Sequence, residues 1–277
     1  MKKWLVVLMT ALALCLMCSG AMAATWDLGT YTADPIEIAP ESGDIITGST
    51  NFNVELDCGG KELTFKNVVV NANVTLGSST NTAPMKLNLV GNNRIGEQNY
   101  FNGGLYSHGS LTIDGTGSLT IETSSLSFYV SNLDYDASLA LINGTVNVFG
   151  DENAIVVDKD IVYLGGTLTA YSGDSYQEPA LLLESGVLKF LTEDYEIFAG
   201  NNPANAAAVT AYTGEQYVKI SPKTNAGGGD PVPQPSAPTA PTAPKTGDES
   251  NLALWACLMT LSAIGLVVVG KKFKKAF

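Results

Sequence analysis

The sequence predicts an all-β fold, a parallel β-helix, and three observations carry that expectation. The first is internal repetition. Residues 110–114, 138–142 and 160–164 alternate like strands and run into Gly115-Thr116, Asn143-Gly144-Thr145 and Gly165-Gly166-Thr167. Each is followed by a second alternating strand, at 118–122, 145–149 and 167–171, and apolar pieces at 154–157 and 180–183 supply a third. Corresponding positions lie 22 to 28 residues apart, as expected when each repeat is one three-strand rung stacked on the next. The second observation is the placing of Gly, Asn and Asp between the strands, where bends need backbone conformations that most side chains resist. The third is the lack of a long amphipathic helical pattern between the two ends of the chain. A β-sandwich also uses many short strands and is the alternative. It has no reason, however, to repeat the strand, Gly-Gly-Thr and strand unit in register.

Taken in chain order, Lys2 and Lys3 are followed by an apolar stretch at 4–17 and by Ala21-Met22-Ala23, a small-any-small site. That is the layout of a secretory signal peptide over 1–23, cut after Ala23. The β-helix domain is expected over 24–221, roughly 200 residues and enough for one sizeable core. Its early turns are degenerate, at 53–57, 63–65, 74–76 and 87–91. Over 222–242 the composition changes to Pro, Ala, Thr and Gly. Such a segment buries no core and reads as a stalk, extended by about 3 Å per residue where proline dominates. The remaining segment, 243–277, holds Ala243-Pro244-Lys245-Thr246-Gly247, an apolar run at 252–270 and a basic tail at 271–277. Nineteen mainly apolar residues without a charge suffice to span a bilayer core, and the lysines behind them would stay cytoplasmic.

Charge narrows the function classes. The chain carries 15 basic and 27 acidic residues, for a net charge of −12. Removal of both processed ends would leave nine basic residues against 25 acidic ones, a net charge of −16. One arginine, Arg94, and scattered lysines offer no basic patch for nucleic acid or anionic lipid. Of the four cysteines only Cys58 lies in the expected mature domain, so no internal disulfide can hold it, and Cys58 reads as a small buried hydrophobe.

The C-terminal order of motif, span and basic tail resembles the sorting signal of Gram-positive surface proteins, whose pattern is Leu-Pro-any-Thr-Gly. The resemblance implies that a membrane sortase cuts between Thr246 and Gly247 and joins the Thr246 carboxyl to peptidoglycan. Pro244 would kink the peptide into the enzyme, and Ala243 stands where leucine is usual. Residues 43–48, 63–68, 86–92 and 111–121 in turn resemble right-handed β-helix domains on surface proteins of anaerobic Gram-positive bacteria. That second resemblance implies polysaccharide binding, with calcium in some relatives.

Register predicts which side chains meet. If Leu119, Val146 and Leu168 point inward, then Thr120, Asn147 and Thr169 point outward, as do Glu122, Phe149 and Tyr171. The last three would form one column, with Phe149 and Tyr171 stacking into a flat aromatic strip for the apolar face of a sugar and Glu122 beside it as an acceptor. The same column also reads as a plain aromatic ladder that steadies neighbouring strands. At one corner Asp151, Glu152 and Asp174 follow matching glycines and form the candidate calcium site; otherwise no cofactor is expected. Catalysis is not expected. The acid pairs Asp134/Asp136 and Glu193/Asp194 fall in loops, and His108, the lone histidine, falls at a turn. The sequence therefore predicts a wall-anchored surface protein that binds polysaccharide or mediates adhesion. A structural display domain is the alternative, and a polysaccharide-degrading enzyme a remoter one.

Overall fold

The computed structural model describes residues 23–96, 104–124, 127–173 and 177–223. Chain contacts divide the protein into two units, Met1–Asn225 and Ala226–Phe277, and the described residues belong to the first. The expected signal site at Ala21, the expected stalk beyond Lys223, the sorting motif and the membrane span lie outside the described residues; Pro222, the first residue of the expected stalk, ends β22. Among the described residues no helix is long and apolar enough to cross a membrane.

The described chain is a right-handed parallel β-solenoid of about six turns. It opens with β1 (Thr25–Asp27), a short 3-10 turn at Leu28–Thr30 and β2 (Ile36–Ile38). Two turns follow in which one strand serves two faces: β3 (Ile45–Thr50) with β4 (Val54–Leu56), and β5 (Glu62–Val70) with β6 (Val74–Leu76). Four turns of three strands come next. They are β7 (Met85–Val90), β8 (Asn92–Ile95) and β9 (Leu105–Ser107); then β10 (Leu111–Gly115), β11 (Ser118–Glu122) and β12 (Phe128–Val130). The last two are β13 (Leu139–Leu141), β14 (Thr145–Gly150) and β15 (Ile155–Val157); then β16 (Ile161–Tyr163), β17 (Thr167–Ser172) and β18 (Leu181–Leu183). The chain ends in β19 (Leu188–Phe190), β20 (Tyr195–Gly200), β21 (Ala207–Val209) and β22 (Tyr217–Pro222).

The strands stack into three faces. The first face runs β5-β7-β10-β13-β16-β19, the second β5-β8-β11-β14-β17, and the third β2-β4-β6-β9-β12-β15-β18. Every pairing along them is parallel, so the sandwich alternative falls. The repeats read from the sequence are the register partners. Leu111 pairs with Leu139 and Leu139 with Ile161; Ser118 pairs with Thr145 and Thr145 with Thr167.

Alternation drives the packing. Leu119, Val146 and Leu168 are inward and buried, as are Ile121, Val148 and Ala170. They join one continuous cluster with Phe65, Phe128 and Tyr163. Each aliphatic or aromatic side chain so buried contributes roughly 1.5–3 kcal/mol. Cys58 belongs to this core at 2 % exposure, and burial pushes its thiol up to about 11. The bend from the first face to the second uses one left-handed residue per turn: Gly48, Asn67, Gly91, Gly115, Gly144 and Gly166, all with φ between 54° and 105°. Asn67 is the one side chain tolerated there. Its Oδ1 accepts the Asn92 N–H at 3.2 Å from the next turn, a local bond that offsets the left-handed backbone.

The C-terminus departs from the repeat. Beyond β17 the second face continues through β22, β20 and β21, and these pairings are antiparallel. Val218 and Ile220 of β22 are buried and pair with Ala170 and Leu168, so a reversed hairpin strand replaces a seventh rung on this face.

Candidate functional site

The second face presents two adjacent outward columns. One runs Arg94, Thr120, Asn147, Thr169 and Lys219; the other runs Glu122, Phe149, Tyr171 and Tyr217. Both follow from the alternation that buries Leu119, Ile121 and their partners, which turns the intervening residues of β8, β11, β14 and β17 outward; Tyr217 at the end of its column is itself buried. Neighbouring strands lie about 4.8 Å apart, so each column is an evenly spaced ladder of side chains. Thr120, Asn147 and Thr169 are half-buried and place hydroxyl and amide groups beside the aromatic column. Arg94 is anchored at the lower end: its Nη1 donates to the Gly96 carbonyl at 3.0 Å and its Nη2 to Asn71 Oδ1.

Glu122, Phe149 and Tyr171 are register partners as expected, and all three are half-buried. The aromatic contact differs from a flat stack. Phe149 makes no ring contact among the described residues, while Tyr171 meets Tyr217 edge-on, with centroids 6.3 Å apart and planes at 64°. The ladder fixes the backbone spacing but leaves the χ angles free, and Tyr171 turns its ring to the antiparallel strand. Tyr217 was not legible as part of this column because β22 carries no repeat. Burial raises its phenol pKa.

The corner candidates are only partly placed. Asp151 and Glu152 are exposed just after β14, and Asp174 lies outside the described residues. Among the described residues no group of three His, Cys, Asp or Glu side chains is arranged to hold a metal. Asp134 and Asp136 fall in an exposed loop, where Asn132 Nδ2 donates to Asp136 Oδ1 at 2.7 Å and the Asp134 and Asp136 amides donate back to Asn132 Oδ1. Glu193 and Asp194 are likewise exposed. His108 sits at a bend after β9, its backbone N–H donating to the Leu76 carbonyl at 2.9 Å.

Sequence reasoning missed a second aromatic pair. On the third face the outward column is Glu37, Glu55, Thr75, Tyr106, Tyr129, Val156 and Leu182, of which Val156 is buried. Tyr106 and Tyr129 meet edge-on at 6.5 Å. The signal existed: Leu105-Tyr106-Ser107 and Phe128-Tyr129-Val130 alternate in the same sense.

These faces define the class of molecule, a right-handed parallel β-solenoid with laddered polar and aromatic columns. No family model, no curated protein and no solved structure matches the chain.

Proposed function

We propose that this chain is a wall-anchored surface protein of a Gram-positive bacterium whose solenoid binds polysaccharide along its second face. The observation that carries the reading is the juxtaposition of two ladders, hydroxyl and amide groups on Thr120, Asn147 and Thr169 beside Glu122, Phe149 and Tyr171. Aromatic rings receive the apolar face of a sugar, and adjacent hydrogen-bonding side chains take its hydroxyls. A ladder repeating with each rung suits a polymer better than a single ring in a pocket. The reading is retention rather than bond cleavage, because the acid pairs Asp134/Asp136 and Glu193/Asp194 lie exposed in loops. Anchoring rests on the sorting order at 243–277, with a sortase and peptidoglycan as partners and Thr246 as the residue joined to the wall.

A glycan array probed with the full chain tests the binding, and retention of a polysaccharide is expected. Phe149→Ala and Tyr171→Ala should each weaken that retention about tenfold, a loss of about 1.4 kcal/mol. Unchanged retention in both variants removes the second face as the site. An array with no retained glycan leaves the display role in its place. Release of the chain from walls by muramidase, abolished by Thr246→Ala, tests the anchoring.

A further inference from the structure

The far end of the solenoid is sealed on the second and third faces and open on the first. The second face is closed by β22. The end strand of the third face, β18, is blunted, since the Leu181 N–H donates to Tyr212 Oη at 3.0 Å and the Ala180 N–H to the Glu215 carbonyl at 2.9 Å. On the first face β19 pairs with β16 alone among the described residues. The Val187 carbonyl accepts from Ile161, and the Leu191 N–H donates to Tyr163. Because alternate residues of a parallel strand bond to opposite neighbours, the N–H and C=O of Leu188 and Phe190 face the open side. Their side chains are unfinished too. Leu188 and Phe190 continue the columns of Ile161 and Tyr163, yet they are only half-buried where Ile161 and Tyr163 are fully covered.

Beside this edge lies a cavity of about 490 Å³ with an apolar wall of Phe190, Tyr195, Ile197 and Val209. Phe190 and Tyr195 are stacked with centroids 3.8 Å apart and planes at 7°. Glu193 and Glu196 also line it, and Asp194 is adjacent. Lys223 is the cation there, and its Nζ donates to the Glu193 carbonyl at 2.9 Å.

We propose that β19 is a docking edge for an extended strand of another protein, apolar at alternate positions and cationic at its flanks. The exposed backbone groups of Leu188 and Phe190 would pair with the incoming strand, as open edges do in strand addition. Its alternate apolar side chains would cover Leu188 and Phe190 in the manner of a further rung. Glu193, Asp194 and Glu196 outnumber the two cations of this edge, Lys223 and Lys189, and Lys189 of β19 is already paired with Asp160, so the remaining carboxylates select positive flanks. They also disfavour a second copy of this chain, whose net charge is −12, because like-charged chains repel.

The test titrates the full chain with a fluorescein-labelled peptide, Lys-Thr-Val-Thr-Val-Thr-Lys, at low salt. Binding is expected. A peptide with proline in place of the central threonine, which removes a strand N–H, should bind at least tenfold more weakly, and so should one with glutamate at both ends. Phe190→Lys, which turns a charge inward at the edge, should abolish binding, while Leu182→Lys on the blunted β18 should not. Equal binding of the proline peptide overturns the proposal without any variant having to fold. So does absence of binding by the lysine-flanked peptide. A dimer in sedimentation that Phe190→Lys disperses would assign the edge to a second copy and overturn it as well.

Discussion

Asp114 draws partners from the turns on both sides of its own. Its Oδ1 accepts from Asn143 Nδ2 at 3.0 Å and from the Gly115 N–H at 2.7 Å, while Lys86 Nζ lies 3.0 Å from Oδ2. The Asn143 bond first, then the Gly115 amide and Lys86, lower its pKa to about 2. A lowered value means that the folded chain favours the charged carboxylate more than the unfolded chain does. The resulting stabilisation is present in full above the ordinary value of 3.8 and is lost as the pH falls toward 2. Asp114→Asn should therefore lower the melting temperature at pH 7, by an amount corresponding to about 1 kcal/mol, and the gap from wild type should close near pH 2. Melts across that range check this, and a gap unchanged at pH 2 refutes it. At this scale the sequence was informative about position and silent about orientation. The register of Glu122, Phe149 and Tyr171 followed from alternation alone, because a strand can offer only every second residue to solvent. That Tyr171 turns to Tyr217 depends on a side-chain neighbour 46 residues away in the chain, and no local pattern encodes such a contact.

The strands divide into those that a repeat announces and those that only the end of the repeat explains. β10, β13 and β16 were legible because each ends its apolar alternation two or three residues before a corner glycine. β5 hid its corner, since Asn67 takes the left-handed conformation where the other turns use glycine, and the strand reads as nine continuous residues. The antiparallel β20 to β22 were not legible at all. They alternate like any other strand, and strand direction is set by the connections and the need to close an edge. That account makes the cap a seal with local reach. Ile220 is fully buried and pairs with Leu168 on one side and Ile197 on the other. Ile220→Ala should cost about 2–5 kcal/mol locally. In a solenoid each turn touches only its neighbours, so hydrogen exchange should accelerate first in β17 and β22 and least in β8. Uniform loss of protection across all turns would instead mean that the cap is part of one indivisible cooperative unit.

Over the whole molecule, stacking turns a local charge into a column. Glu37 and Glu55 are direct register partners on the third face, and like charges placed opposite one another in a sheet oppose its formation. The described residues contain four ion pairs, set against a net charge of −12 for the chain. Long-range repulsion should then outweigh the pairs in the response to salt. The screening length falls from about 30 Å at 0.01 M salt to about 8 Å at 0.15 M, which cuts repulsion between distant turns more than attraction within a contact pair. Lys189 and Asp160 illustrate the contrast: they lie 2.5 Å apart, with the Asp160 side chain only 11 % exposed, and added salt leaves such a pair largely intact. The melting temperature of the full chain should therefore rise as sodium chloride is raised from 0.01 M to 0.15 M, and the gain should shrink in a Glu55→Gln variant that removes one member of the acidic column. A melting temperature that falls over this range would mean that the ion pairs, few as they are, dominate the electrostatics of the fold.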